Sequence, residues 1–374
     1  MPYSGFNRTQ LPLLPPRSPP SSYPCTIIPL RSIPTRRLVP SLVYSLAHLP
    51  SMAVEIAHRV VSLLPAATEA VCLVGGKDLL VARSHSDDFP PELVLLPAVT
   101  AARVTLGSSK EIDDQVNSLV ASAQELYELK RDILQRVKPS VIITQGLCTV
   151  CAISDDTVRA AAKELEPRPE VVSLSPMSLE DILSDIERIG ASIGLEQSAQ
   201  VAVAELRARV AAATARGAAV VEKAGGVRPR VLFMEWTEPI FMGGHWTPQL
   251  IHMAGGEHPL NLPDQPTGAA RPSFRIPPEE VVKMDPDFIV VCPCGFDIPT
   301  TLNELKTVVQ CDWWKGLRAV QQGKVVLVDG NQMFNRSGPR VVDALEWLVA
   351  LFEGHPDAGP KGFPWQWWKS EEAE

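Results

Sequence analysis

Gln197 to Lys223 form an alanine-rich run without proline and with a single glycine, Gly217. Such a run predicts one uninterrupted helix of about 27 residues, roughly 40 Å at 1.5 Å per residue. On both sides of it the pattern changes to short β-branched apolar runs alternating with helical periods. That alternation predicts a mostly parallel sheet covered by helices. The expected architecture is therefore α/β, with two mostly parallel α/β lobes joined by a single long helix and a ligand cleft between them. The 374 residues suit two lobes, since one core rarely grows past about 250–300 residues. A lone rigid connector also predicts little hinge closure.

Before the long helix, strands are expected over residues 59–64, 79–82, 140–144 and 171–174. Helices are expected over 66–74, 111–123, 126–137, 155–165 and 178–193. Ser178 followed by Glu180 and Asp181 reads as a helix N-cap with early acidic residues, which favour the positive end of the helix dipole. After Gly225-Gly226, strands are expected over 230–236, 288–292 and 324–329, and helices over 248–254, 278–284 and 339–352. The divisions read as a leading segment 1–51, an N-terminal lobe 57–195, the connecting helix 197–224, a C-terminal lobe 228–355 and a Trp-rich tail 356–374. Trp313-Trp314 read as core packing, and Trp365, Trp367 and Trp368 as a tail lying on the surface or a partner.

Residues 1–51 carry 11 of the 35 prolines and five Arg, with no Lys, Asp or Glu. Proline at that density supports neither helix nor central strand. Arg- and Ser-rich, acid-free character suits an organelle transit peptide, which would place the chain in a chloroplast or mitochondrion. A start at Met52 would leave it cytoplasmic. Without this segment the chain holds 30 Lys and Arg against 43 Asp and Glu. So acidic a body argues against a nucleic-acid partner. No run of about 18 apolar residues is present, so no membrane-spanning helix is expected.

In parallel α/β sheets, ligands bind outside the carboxyl ends of the strands. The loops expected there are rich in polar, aromatic and Gly residues. In the first lobe they begin at Pro65, span Arg83 to Pro90, and run from Gln145 to Cys151. In the second they include Glu235-Trp236, Gly243-Gly244-His245-Trp246, Cys292-Pro293-Cys294, and Asp329 to Arg340. His85 and His245 are candidate axial ligands to a metal centre, because neutral imidazole is the commonest nitrogen ligand. A carboxylate beside His85 would fix its tautomer. The paired glycines would let backbone approach a ligand, and Trp246 would offer it a flat face. Asp297 reads as a helix N-cap. Cys148, Cys151, Cys292 and Cys294 are candidate ligands for Zn or Fe, or alternatively reduced thiols lining the cleft or redox pairs. No G-x-S-x-G, P-loop or G-x-G-x-x-G follows any strand, so the corresponding hydrolase, NTPase and dinucleotide readings lack support.

RVVSLLPAATE (59–69), RSHSDDFP (83–90), EWTEPIFMGGHWTPQLIHMAGGE (235–257) and NQMFNRSGPR (331–340) stand in this order along the chain. Together with the lobe–helix–lobe plan, they resemble the cobalamin-type substrate-binding proteins of ABC importers, within the iron-siderophore, haem and corrinoid receptor superfamily. The resemblance runs over nearly four-fifths of the chain. A bacterial branch of that family carries His-Glu-Cys-Asp where this chain has His85-Ser86-Asp87-Asp88, and acidic residues where it has Gly146 and Thr149.

The resemblance implies non-catalytic binding of cobalamin or a related corrinoid by Pro65, His85, Gln145, Cys148, Glu235, Trp236, His245, Trp246, Cys294, Asn331, Phe334 and Arg336. It also implies docking on an ABC permease through one glutamate per lobe. Glu111 matches the first of these, whereas His252 stands at the second, which weakens the permease partner. A monomer is expected. The alternative from another class is a thiol- or metal-dependent enzyme, or a metal-delivery protein, that uses the Cys pairs and His85.

Overall fold

The computed structural model describes residues 58–122, 124–146, 153–265 and 267–369, all within one compact unit. The leading segment 1–51 lies outside them.

The N-terminal lobe runs β1 (Val60–Ser62), α1 (Pro65–Leu73), β2 (Leu80–Ala82), β3 (Thr100–Ala102), α2 (Ser109–Ala121), β4 (Tyr127–Leu129), α3 (Arg131–Val137), β5 (Val141–Gln145), α4 (Asp155–Lys163), β6 (Glu170–Leu174) and α5 (Leu179–Ser192). Four of its strands form a wholly parallel sheet in the order β2-β1-β5-β6. β3 and β4 pair antiparallel, apart from that sheet. Next comes α6 (Glu196–Lys223), 28 residues long.

The C-terminal lobe runs β7 (Val231–Trp236), β8 (Phe241–Met242), α7 (Thr247–Met253), β9 (Phe274–Arg275), α8 (Pro278–Met284), β10 (Phe288–Val291), α9 (Ile298–Val308), α10 (Asp312–Lys315), α11 (Arg318–Gln321), β11 (Val325–Val328), α12 (Val341–Phe352) and β12 (Trp365–Trp367). Its sheet order is β12-β11-β10-β7-β8-β9, with β11, β10 and β7 mutually parallel and the outer strands antiparallel.

Alternation along the strands divides the interior. Val231 and Phe233 of β7 face one apolar cluster, and Leu232 and Met234 face another. In the first lobe Val60 and Val61 are split in the same way. The cluster on the α6 side is continuous through both lobes. It joins Val60, Ile143 and Ile186 to Ala199, Val203, Leu206 and Ala213 of α6, and on to Phe233, Phe334 and Trp347. The lobes therefore share a core rather than hang from a tether. Gly217 sits where α6 touches the end of α7, and a Cβ there would lie 2.1 Å from the Met253 carbonyl oxygen. The helix runs on without proline, and its one glycine is the point of closest approach.

Two expectations are corrected. The stretch 126–137 is not one helix: Tyr127–Leu129 extend and pair with Thr100–Ala102, and only Arg131–Val137 turn helical. A short apolar run does not separate strand from helix by periodicity alone. The Trp-rich tail is not a surface appendage either. Trp365–Trp367 add an antiparallel edge strand to β11, Trp368 is buried, and Trp365 packs against Trp347. The N-caps at Ser178 and Asp297 form as expected, accepting from Asp181 N and Thr300 N.

Candidate functional site

The helix after β1 and the loop after β2 meet the loop after β11, and α2 meets the end of β7, so the two lobes join at two margins. At one margin, α1 presents Glu69, a carboxylate only 2% exposed and the one charged residue of that helix. Glu69 accepts from Arg336 Nη1 at 2.9 Å and from Arg340 Nε at 2.8 Å, with a further contact to Arg340 Nη2. Arg336 also reaches Asp88 at 2.7 Å, and Asn331 Nδ2 donates to Asp88 at 2.6 Å. The guanidinium of Arg340 lies 4.1 Å from the ring centre of Phe89 and donates to Gln332. Two C-lobe arginines thus close on one buried N-lobe carboxylate and a second one at the rim. Burial of charge is tolerable when it is paired and hydrogen-bonded in this way.

At the other margin, α2 of the N-terminal lobe meets the end of β7. Trp236 Nε1 donates to the Ser109 carbonyl at 3.0 Å, the Ser109 and Thr237 hydroxyls are 2.7 Å apart, and Ser109 N donates to Glu304 at 2.7 Å. Arg275 donates to Asp113 at 2.7 Å.

His85 is half-buried on the N-lobe side, and its backbone N and Nδ1 both meet Thr100 Oγ1, at 2.9 and 2.7 Å. Thr100 therefore orients the ring, leaving Nε2 as the nitrogen it does not engage. The neighbouring aspartates do not take this role. Asp87 accepts from Ser84 and Thr68, and Asp88 turns to the C-terminal lobe. Burial pushes the His85 imidazole below its usual pKa, with Lys130 and Arg83 adding to the effect, so the ring is neutral at pH 7. Burial does the same for His245. Neutral imidazoles are the protonation state in which histidine ligates metal.

His245 has φ +54 and closes a loop through His245 N to Arg271 O and Ala270 N to His245 O. Asn261 fastens this loop by donating to Gly243 O and Arg271 O. A Cβ on Gly244 would stand 2.2 Å from Ser273 N, so that glycine serves a backbone–backbone approach rather than the ligand approach expected of it.

Glu235 accepts from the Ser273 hydroxyl and from Gly244 N at 3.4 Å. The residue keeps some surface, but its carboxyl group is enclosed. That desolvation pushes it up to about 7 against the partial relief of the two hydrogen bonds.

Other expected residues are distributed differently. Trp246 and Phe334 are buried in the shared core, and the Trp246 indole donates to Phe334 O at 2.8 Å. With Trp246 only 7% exposed, the flat surface expected for a macrocycle is not presented. Pro65 starts α1, and Gln145 ends β5 half-buried. Asn331 and Arg336 belong to the interlobe network rather than standing free. Cys294 is exposed, whereas Cys292 is buried and its thiol is held well above the ordinary range by desolvation. A thiol held protonated in this way suits packing better than metal binding. Cys148 and Cys151 lie outside the described residues, and among those residues no group of three His, Cys, Asp or Glu is placed to hold a metal. Glu111 is exposed at the start of α2, where its carboxylate completes a capping box with Ser108. His252 is half-buried in the last turn of α7.

Sequence reasoning missed Glu69, Asp88 and Arg340 as a unit. The available signal was a lone carboxylate in the apolar helix PAATEAVCL and two arginines four residues apart.

Residues 60–331 match the family model described as periplasmic binding protein. A relative from Bacillus subtilis (strain 168), the uncharacterized ABC transporter substrate-binding lipoprotein YvrC, is 23% identical over 296 residues, 78% of each chain. The periplasmic vitamin B12 binding protein BtuF of Vibrio cholerae superposes with a TM-score of 0.55 at 20% identity, covering 81% of this chain and 98% of that one. The periplasmic heme-binding protein RhuT from Roseiflexus sp. RS-1 gives 0.57 at 21% identity, covering 81% and 99%. At such identities the structural likeness is one of fold. Among the described residues no helix is long and apolar enough to cross a membrane.

Proposed function

Because the chain belongs to the periplasmic binding protein family, we propose that it binds a planar metal macrocycle, cobalamin or a related corrinoid first, in the cleft between its lobes without altering it. The observation that carries the reading is the pair of neutral, half-buried imidazoles, His85 and His245, one in each lobe and each in a loop that follows a strand. His85 is preoriented through Thr100, so Nε2 is the atom offered to a cobalt or iron centre. Support also comes from the fold shared with a vitamin B12 binder and a haem binder. A permease is the proposed partner, docked through Glu111 with His252 at the second position. An organelle location for the chain is a separate proposal, which rests only on the composition of residues 1–51.

Titration of the purified chain with cyanocobalamin, hydroxocobalamin and haemin, followed by tryptophan quenching and the visible spectrum, tests the ligand. Saturable cobalamin binding weakened by His85→Ala or His245→Ala is the expected result. A shift in the visible bands of hydroxocobalamin alone would assign an imidazole to the metal. Binding of haemin but neither cobalamin would move the assignment to haem, and binding of none would overturn the macrocycle reading.

A further inference from the structure

The helix α2 is built unlike every other long helix of the molecule described above. Of its 13 residues only Ser109 is buried. Its apolar positions Ile112, Val116 and Leu119 recur at helical spacing, yet they stay half-exposed and join none of the three apolar clusters of the described residues. Across those residues α2 packs broadly against no other helix or strand. It rides on an excursion from the β3–β4 pair, whose neck is closed by Arg103 N donating to Leu126 O. The coil leading into it leaves Leu106 almost wholly exposed beside an open depression of about 360 Å³ lined by Thr105, Gly107, Glu111, Asp114 and Gln115.

What holds α2 in place comes from the opposite lobe. Trp236 and Thr237 at the end of β7 grip Ser109, Glu304 on α9 accepts from its amide, and Arg275 on β9 pairs with Asp113 and Asn117. These are single polar contacts, of which the Ser109–Thr237 pair is buried and the Arg275 pair is half in water. They contrast with the continuous core that fixes the lobes through α6. Lobes that share a core are poorly placed to rotate apart, so a part that can move alone offers a route for a ligand of macrocycle size.

We propose that α2 is a strap across the mouth of the cleft, anchored in the N-terminal lobe and latched by the C-terminal lobe, which opens while the lobes stay fixed. Its role as a gate rests on the ligand reading given above. Because Glu111 sits in its first turn, unlatching also moves the residue proposed to dock on a permease. The strap therefore links cleft closure to the surface shown to that partner. Elements of this kind belong to the low-stability end of a protein's local unfolding spectrum.

Hydrogen–deuterium exchange on the full chain tests this without any ligand, by comparing wild type with an Arg275→Ala/Glu304→Ala double variant. The amides of α2 should exchange at least about tenfold faster in the variant, while those of α5, α6 and α12 keep their wild-type rates. Unchanged protection of α2 would overturn the latch. A uniform loss across all four helices would overturn it too, because the removed contacts would then be general stabilisers. A Trp236→Phe variant, which keeps an aromatic ring against Phe296 but loses the indole N–H that bonds the Ser109 carbonyl and part of its packing, should show the same pattern to a smaller degree. Failure of the ligand reading appears in the wild type as absence of cobalamin binding, whereas failure of the strap appears in the exchange map.

Discussion

Where α1 meets the loop before α12, the lobes are joined by a carboxylate and an arginine that are 2% and 6% exposed. Where α2 meets β7 and β9, they are joined by contacts such as Arg275 to Asp113, whose arginine is half in water. Both margins use charge, and both cross the same cleft. They differ in what water can do once a partner is lost. At the first margin an orphaned charge stays buried, because the shared core keeps the lobes in place. At the second, water can take the place of Asp113 beside Arg275, and only the Ser109–Thr237 hydroxyl pair is sealed from it. The first margin is a weld and the second a clasp, and burial rather than the number of bonds decides which is which.

The largest expected effect follows from Glu69→Ala. It leaves Arg336 and Arg340 facing each other without their shared carboxylate, and removing one partner of a buried network costs about 3–5 kcal/mol. Chemical denaturation should show that loss with an unchanged slope against denaturant. A loss below about 1 kcal/mol would mean that water reaches the site, and the distinction between the margins would collapse.

The weld was also the feature least legible beforehand. Glu69 is 267 residues from Arg336, and a local reading of PAATEAV sees only a polar position on a helix. The parallel strands and α6 were legible, because β-branched runs and an uninterrupted alanine-rich stretch are local signals. β8, β9 and β12 were not, since two- and three-residue strands exist only through their pairing partners. The histidine-bearing loops do follow strands as expected, His85 after β2 and His245 after β8. The roles of Trp246 and Phe334 were misjudged because an aromatic in a Gly-rich loop looks alike whether it turns inward or outward. Burial is a tertiary fact.

Glu235 sharpens the comparison, being an enclosed carboxyl near the clasp whose hydrogen bonds come from neutral groups. Its folded pKa of about 7 stands above the ordinary value of 4.5, so the native state holds this proton more tightly than the unfolded chain does. The stability it supports is fully present below about pH 4.5, falls as pH rises towards 7, and is flat beyond, by about 3 kcal/mol in all. Glu235→Gln should remove that slope and leave the variant more stable than wild type at pH 8. Melting temperatures measured from pH 4 to 9 decide it: parallel wild-type and variant curves would show that Glu235 ionises normally and is wetter than its surroundings indicate.

Arg275→Ala should have the smallest effect, and its smallness is the test. The pair with Asp113 is screened on the arginine side, and exposed ion pairs contribute about 0–1 kcal/mol. The guanidinium also lies 5.2 Å from the ring centre of Phe241, so some loss of packing accompanies the loss of charge. Global stability should therefore drop by less than about 1 kcal/mol. That deficit should shrink further with added salt, as the Debye length contracts from about 8 Å at 0.15 M to about 3 Å at 1 M. The Glu69→Ala deficit should persist under the same salt, because its charges are shielded by protein rather than by ions. If salt moved both deficits together, the two margins would be one electrostatic interface, and α2 would have no freedom to open while α1 and α12 stay joined.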